Sequence, residues 1–169
     1  MPDAQPQQVA AKSSEKAAPG FDAAQFRRPY LDWYVPEATN RIDLAVLTVS
    51  GGGFNSCCDA ERLQPVIDRL VRAGITVADL TYRTPRPVGL PAHQSAWEDA
   101  QRAVRVMRAR AKVYGFSPEK IGATGISAGA KAVLLLATSS RTSAYSPVDD
   151  LDALPCSLLF AIPQAAAYV

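Results

Sequence analysis

An α/β fold, with a mostly parallel sheet and helices on both of its faces, is predicted by three features of this chain. Apolar runs of strand length alternate with segments of helical period, the order that parallel strands and their crossovers require. One of these strands, over 120–124, passes into a helix over 130–137 through a short turn flanked by glycines. And 48% of the 169 residues are hydrophobic, enough to bury the core of one domain.

The elements follow in order. Residues 1–24 read as a disordered tail: the first twenty are rich in Gln, Ala, Pro, Lys and Ser and carry neither aromatics nor an apolar period. The tail lacks the apolar core of a secretory signal, because Val9-Ala10-Ala11 is interrupted by Lys12, so the cytoplasm is the default compartment. A buried strand is expected over 44–49, then a helix over 63–73 in which Pro65 is tolerated only if it falls in the first turn. The next strand covers 75–81. Pro85, Pro87 and Pro91 keep 82–91 irregular. The helix over 93–114 has the clearest period, with Trp97, Ala100, Val104, Met107, Ala111 and Tyr114 on one apolar stripe that should face the sheet. On its other side Arg102, Arg105, Arg108 and Lys112 are expected to form a solvated face, Asp99 suits the helix dipole, and Gly115 supplies a stop. A last buried parallel strand is expected over 158–163.

Composition excludes several roles. The net charge of +2 argues against nucleic acid or an acidic membrane as the main partner, and no apolar run has transmembrane length. Cys57, Cys58 and Cys156 form no C-x-x-C and have no histidine nearby, so they read as reduced thiols and not as a metal or redox site. Nothing in the sequence speaks to oligomeric state.

Two motifs carry chemistry. Gly125-Ile126-Ser127-Ala128-Gly129 is a G-x-S-x-G pentapeptide between strand and helix. A sharp turn there lifts the Ser127 hydroxyl above the sheet edge, and the helix N-terminus behind it favours negative charge on a substrate oxygen. Ser127 is therefore the candidate nucleophile. Ser50-Gly51-Gly52-Gly53-Phe54 directly follows a strand and leaves backbone N–H groups unshielded. A triple glycine alone often marks only a flexible loop. Preceding the serine turn in this order, Gly52 and Gly53 become candidate oxyanion donors together with Ala128, the residue after the nucleophile.

With these motifs the chain resembles the α/β-hydrolases of the esterase and acetyl-xylan-esterase-like branch. The likeness also rests on 73–83, on 99–105, on the run 114–122 that leads into the serine turn, and on Asp149-Asp150-Leu151-Asp152-Ala153-Leu154-Pro155-Cys156. It extends over nearly everything outside the tail. It implies hydrolysis of small acyl esters, often acetyl groups on plant polysaccharides, with no cofactor, by proteins that are commonly exported. It also implies that 82–91 borders the acyl pocket.

One departure is decisive. The fold orders its triad as Ser, then Asp or Glu, then His, and no histidine follows Ser127. His93 is the single histidine, placed at a helix start where an exposed role is expected. Asp149, Asp150 and Asp152 precede the next strand, whereas the family's triad acid lies beyond a later one. Without a base a serine hydroxyl is a poor nucleophile. Residues 25–169 are therefore expected to be the N-terminal portion of such a hydrolase domain, lacking the triad acid and histidine. The competing expectations are an inactive, hydrolase-like binding protein and an amide-cleaving relative with the same glycine motifs. Long-chain lipids are disfavoured, as no apolar lid is visible.

Overall fold

β-branched and small apolar residues make the strands of this chain, and amphipathic segments between them make the helices. The computed structural model describes the backbone of residues 7–10 and residues 28–57 and 60–166. Within these the order is β1 (Gln7–Ala10), β2 (Tyr30–Tyr34), β3 (Ala45–Val49), α1 (Ala60–Arg72), β4 (Thr76–Thr81), α2 (Gln94–Tyr114), β5 (Ile121–Ile126), α3 (Ala128–Thr138), a 3-10 turn at Asp150–Ala153, and β6 (Ala161–Gln164). The sheet order is β1-β2-β4-β3-β5-β6. β1 and β2 are antiparallel, and β4, β3, β5 and β6 run parallel.

Alternation along the strands divides the core. Leu47, Val49, Ala78, Leu80, Ile121 and Ala123 share one cluster with the apolar sides of α2 and α3. Leu63 and Ile67 of α1 pack with Val77 on the opposite face. Helices thus cover both faces, as expected for a parallel sheet.

Several expectations need correction. Within the segment 1–24 read as disordered, Gln7–Ala10 form β1, which satisfies the open edge of β2 through the pairs Gln7↔Trp33 to Ala10↔Tyr30; the remainder of that segment lies outside the described residues. Helix α1 begins earlier than expected, so Pro65 lies inside it and beyond the first turn. Its ring removes one helical bond at a cost of about 3 kcal/mol. Burial of Leu63 and Ile67, worth about 1.5–3 kcal/mol each, offsets that loss. β6 starts three residues later than predicted and is a marginal strand, not a buried one, with Ile162 53% exposed. An apolar run reads alike in either place; Pro163, which has no N–H, suits a strand paired on one side.

The largest correction concerns α2. Its arginine side is not a solvated face: Arg105 is 7% and Arg108 8% exposed. Residues 142–157 wrap across it, and their carbonyls have no ladder of their own. Arg108 donates to the carbonyls of Pro155 (2.8 Å), Ser157 (2.6 Å) and Pro118. Arg105 donates to Leu154 O (3.0 Å) and to the Tyr145 hydroxyl (2.7 Å). Arg102 grips Asp149 through two bonds (2.7 and 2.6 Å) and reaches Asp152 at 3.0 Å. The guanidinium fork, with five donors, is well suited to collecting unpaired acceptors. Lys112 alone of the four remains exposed. Asp99 also does more than suit the dipole. It is buried and takes the Arg83 N–H (2.7 Å) and guanidinium (2.9 Å), tying the start of 82–91 to α2.

Candidate active site

β5 passes into α3 through one residue. Ser127 stands at φ 55 and ψ −119, outside both helix and strand regions. Such a conformation costs a non-glycine residue about 1–3 kcal/mol and persists only where its surroundings fix it. Here β5 is held between β3 and β6 by the pairs Val49↔Gly125 and Ile126↔Gln164. The Ser127 N–H donates to Gln164 O (3.0 Å), and Ser127 O accepts the first helical bond from Lys131 N (3.2 Å). The side chain is half-buried.

Both flanking glycines are imposed by close approach. A Cβ on Gly125 would lie 2.6 Å from Gly129 O, and one on Gly129 would lie 2.1 Å from Val49 O and 2.5 Å from Ser50 O. The first turn of α3 is therefore pressed directly against the end of β3, where the glycine loop starts. Ala128 opens α3, and the first N–H groups of a helix have no intrahelical acceptor.

The glycine loop turns through three successive left-handed residues, Gly52 (φ 125), Gly53 (φ 61) and Phe54 (φ 63). Gly52 O accepts from Asn55 N (3.1 Å) and Ser56 N (3.2 Å), closing the turn. Phe54 is buried and anchors it from below. Ser127, Ala128, Gly52 and Gly53 thus sit at the C-terminal ends of the adjacent strands β3 and β5, the edge at which open parallel sheets bind ligands.

The other sequence candidates are placed elsewhere or engaged. His93 stands at the N-cap position of α2 without a side-chain capping bond and is half-buried, not exposed as expected; burial and the positive charge of Lys131 lower its pKa. The bonds from Arg102 hold the Asp149 carboxyl below the ordinary carboxylate range. Asp152 accepts from Arg102, the Tyr145 hydroxyl and Val148 N, and Asp150 belongs to the 3-10 turn. Cys57 donates to Tyr82 O and Cys156 to Ser140 O; Cys58 lies outside the described residues. Among the described residues no cluster of three or more His, Cys, Asp or Glu is arranged to hold a metal ion, and no helix is long and apolar enough to cross a membrane. Two contributors escaped sequence reasoning. Gln164 holds the serine turn through its backbone, which no side-chain pattern reveals. Tyr82 lies under the glycine loop, and the only available signal was an aromatic at the end of a buried strand.

The model of the BD-FAE family matches residues 31–153, from β2 through the glycine loop and Ser127 to the 3-10 turn. The chain belongs to the BD-FAE family. This BD-FAE chain is 29% identical over 112 residues to an acetylxylan esterase of Xylanibacter ruminicola, a match covering 63% of the chain and 21% of that protein. Thermogutta terrifontis esterase 2 phosphorylated by paraoxon is similar in structure, with a TM-score of 0.75 at 20% identity over 95% of this chain and 57% of that one. An acetyl ester-xyloside bifunctional hydrolase from Caldicellulosiruptor lactoaceticus gives 0.72 at 24% identity over 92% of this chain and 55% of that one. These structural likenesses establish the fold, which is the α/β-hydrolase fold expected from the sequence. The chain spans about one fifth of the curated relative's length and little more than half of the solved structures'.

Proposed function

We propose that this BD-FAE chain carries the nucleophile and oxyanion hole of a carboxylic-ester hydrolase. The observation behind the reading is Ser127, held at φ 55 and ψ −119 between β5 and α3, with Gly129 two residues on pressed against the end of β3 where the glycine loop starts. Ser127 Oγ attacks the ester carbonyl carbon, and its proton passes to a general base. The N–H of Ala128 and that of Gly52 or Gly53 receive the tetrahedral oxyanion; losing one such donor costs about 3 kcal/mol in comparable hydrolases. Collapse expels the alcohol, which takes the proton, and water then releases the acid from the acyl-enzyme. This chemistry needs no cofactor. The proposed substrates are short acyl esters, chiefly acetyl esters of carbohydrates, in keeping with the names of the Xylanibacter and Caldicellulosiruptor relatives. In this reading residues 25–169 are the N-terminal portion of the hydrolase domain, and the base and its carboxylate are not among them.

A second reading, a hydrolase-like protein that binds without turnover, is favoured by the engagement of Asp149 and Asp152 with Arg102. Covalent labelling of the full-length protein by paraoxon separates the two. Labelling that is lost in Ser127→Ala, together with loss of p-nitrophenyl acetate turnover, supports the hydrolase; turnover retained in Ser127→Ala would sink the nucleophile assignment. Parallel kinetics on an acetyl ester and a formyl amide distinguish an esterase from an amide-cleaving relative.

A further inference from the structure

We infer that Tyr82 is a positioning residue for the glycine loop, its buried hydroxyl holding the Gly52 and Gly53 N–H groups toward the developing oxyanion. The inference rests on the Ser127 reading and extends it to a side chain that touches no substrate. Tyr82 directly follows β4 and is 0% exposed. Its hydroxyl lies 3.4 Å from Gly51 O and 3.3 Å from Ser56 O. Those carbonyls stand at the two ends of the loop, so a single O–H spans its neck. Phe54, 2% exposed, packs its ring against that of Tyr82 with centroids 6.3 Å apart. Cys57 Sγ donates to the Tyr82 carbonyl (3.4 Å), so loop and tyrosine are tied in both directions. The tyrosine is itself immobilised by its neighbour: Arg83 bonds Asp99 through its N–H (2.7 Å) and guanidinium (2.9 Å), and Glu98 at 2.5 Å, all on α2.

The physical need is clear. Three consecutive left-handed residues, one of them Phe54, are not a conformation the chain keeps unaided. Donors stabilise an oxyanion only if they are aimed before the reaction begins. A displacement of about 1 Å costs on the order of 100-fold in rate. Tyr82 connects the loop to the rigid sheet and helix at the point where such a displacement would start.

Tyr82→Phe keeps the ring and removes only the hydroxyl. In the full-length protein, which carries the base, labelling of Ser127 by paraoxon, followed over a concentration series, yields a limiting rate and an apparent affinity, and a thermal melt reports folding. The expected result is a limiting rate lower by about 10- to 100-fold, with apparent affinity held within about twofold. Tyr114→Phe, which removes a tyrosine hydroxyl at the opposite end of α2, should label at the wild-type rate. A limiting rate for Tyr82→Phe equal to wild type overturns the positioning role, as does an equal slowing in Tyr114→Phe. Should Tyr82→Phe not fold, Phe54→Leu loosens the same loop; slowed labelling supports the inference and unchanged labelling overturns it. Full-length wild-type protein, carrying the base, that does not label, or labelling that survives Ser127→Ala in it, overturns the Ser127 reading and this inference with it.

Discussion

Replacing Asp79 should stabilise the protein at neutral pH and leave it unchanged in acid. Asp79 lies in the middle of β4 on the α1 face, 7% exposed. Thr48 Oγ1 donates to its Oδ1 from β3, and Asp32 stands directly opposite on β2 with its buried Oδ1 unpartnered among the described residues. Burial pushes the Asp79 carboxyl up to about 6; the Thr48 bond opposes this and the charge of Asp32 adds to it. Because the folded value lies above the unfolded one, the group's stabilising contribution is complete below about pH 4 and is lost as pH rises through 6. A shift of about two units sets an upper limit near 3 kcal/mol at pH 7. In Asp79→Asn the side chain cannot ionise, and its amide N–H can donate to the orphaned Asp32 oxygen. The melting temperature of the variant relative to wild type should therefore rise between pH 4 and pH 7, by at most about 6–12 °C for a chain of this size. Thermal melts monitored by circular dichroism across that range provide the assay. A difference between the two proteins that stays constant from pH 4 to pH 7 would refute the reasoning.

Two further outcomes follow from the geometry. Arg108→Met should strand the carbonyls of Pro118, Pro155 and Ser157, cost about 3 kcal/mol in a denaturant melt and speed proteolysis near 154–158; Arg108→Lys should recover little, since an ammonium cannot reproduce the planar fork. Ser127→Gly should melt higher than Ser127→Ala by about 1 kcal/mol, because glycine relieves the strained turn and alanine does not; equal melting of the two variants would remove the strain from the account.

Much of the architecture was legible in the amino-acid order because it follows from local periodicity. The short apolar runs over 44–49 and 75–81, the stripe from Trp97 to Tyr114 and the glycine-bounded turn at Ser127 each report a backbone preference that neighbouring residues impose. The glycine spacing around Ser127 was readable for the same reason, since a tight strand-to-helix turn leaves no room for a Cβ. What the folded chain settled were long-range matters. Arg102, Arg105 and Arg108 have the pattern of a wet helix face, and only the return of residues 142–157, some forty or more positions later, makes Arg105 and Arg108 buried collectors of carbonyls and gives Arg102 the carboxylates of Asp149 and Asp152. Asp99 and Arg83 are sixteen residues apart and find each other only once β4 and α2 pack. Tyr82 and the glycine loop belong to different βα units, joined because β4 lies beside β3. Local sequence dictates which backbone shape each segment takes, whereas the partner of a polar side chain depends on which distant segment the packing brings alongside.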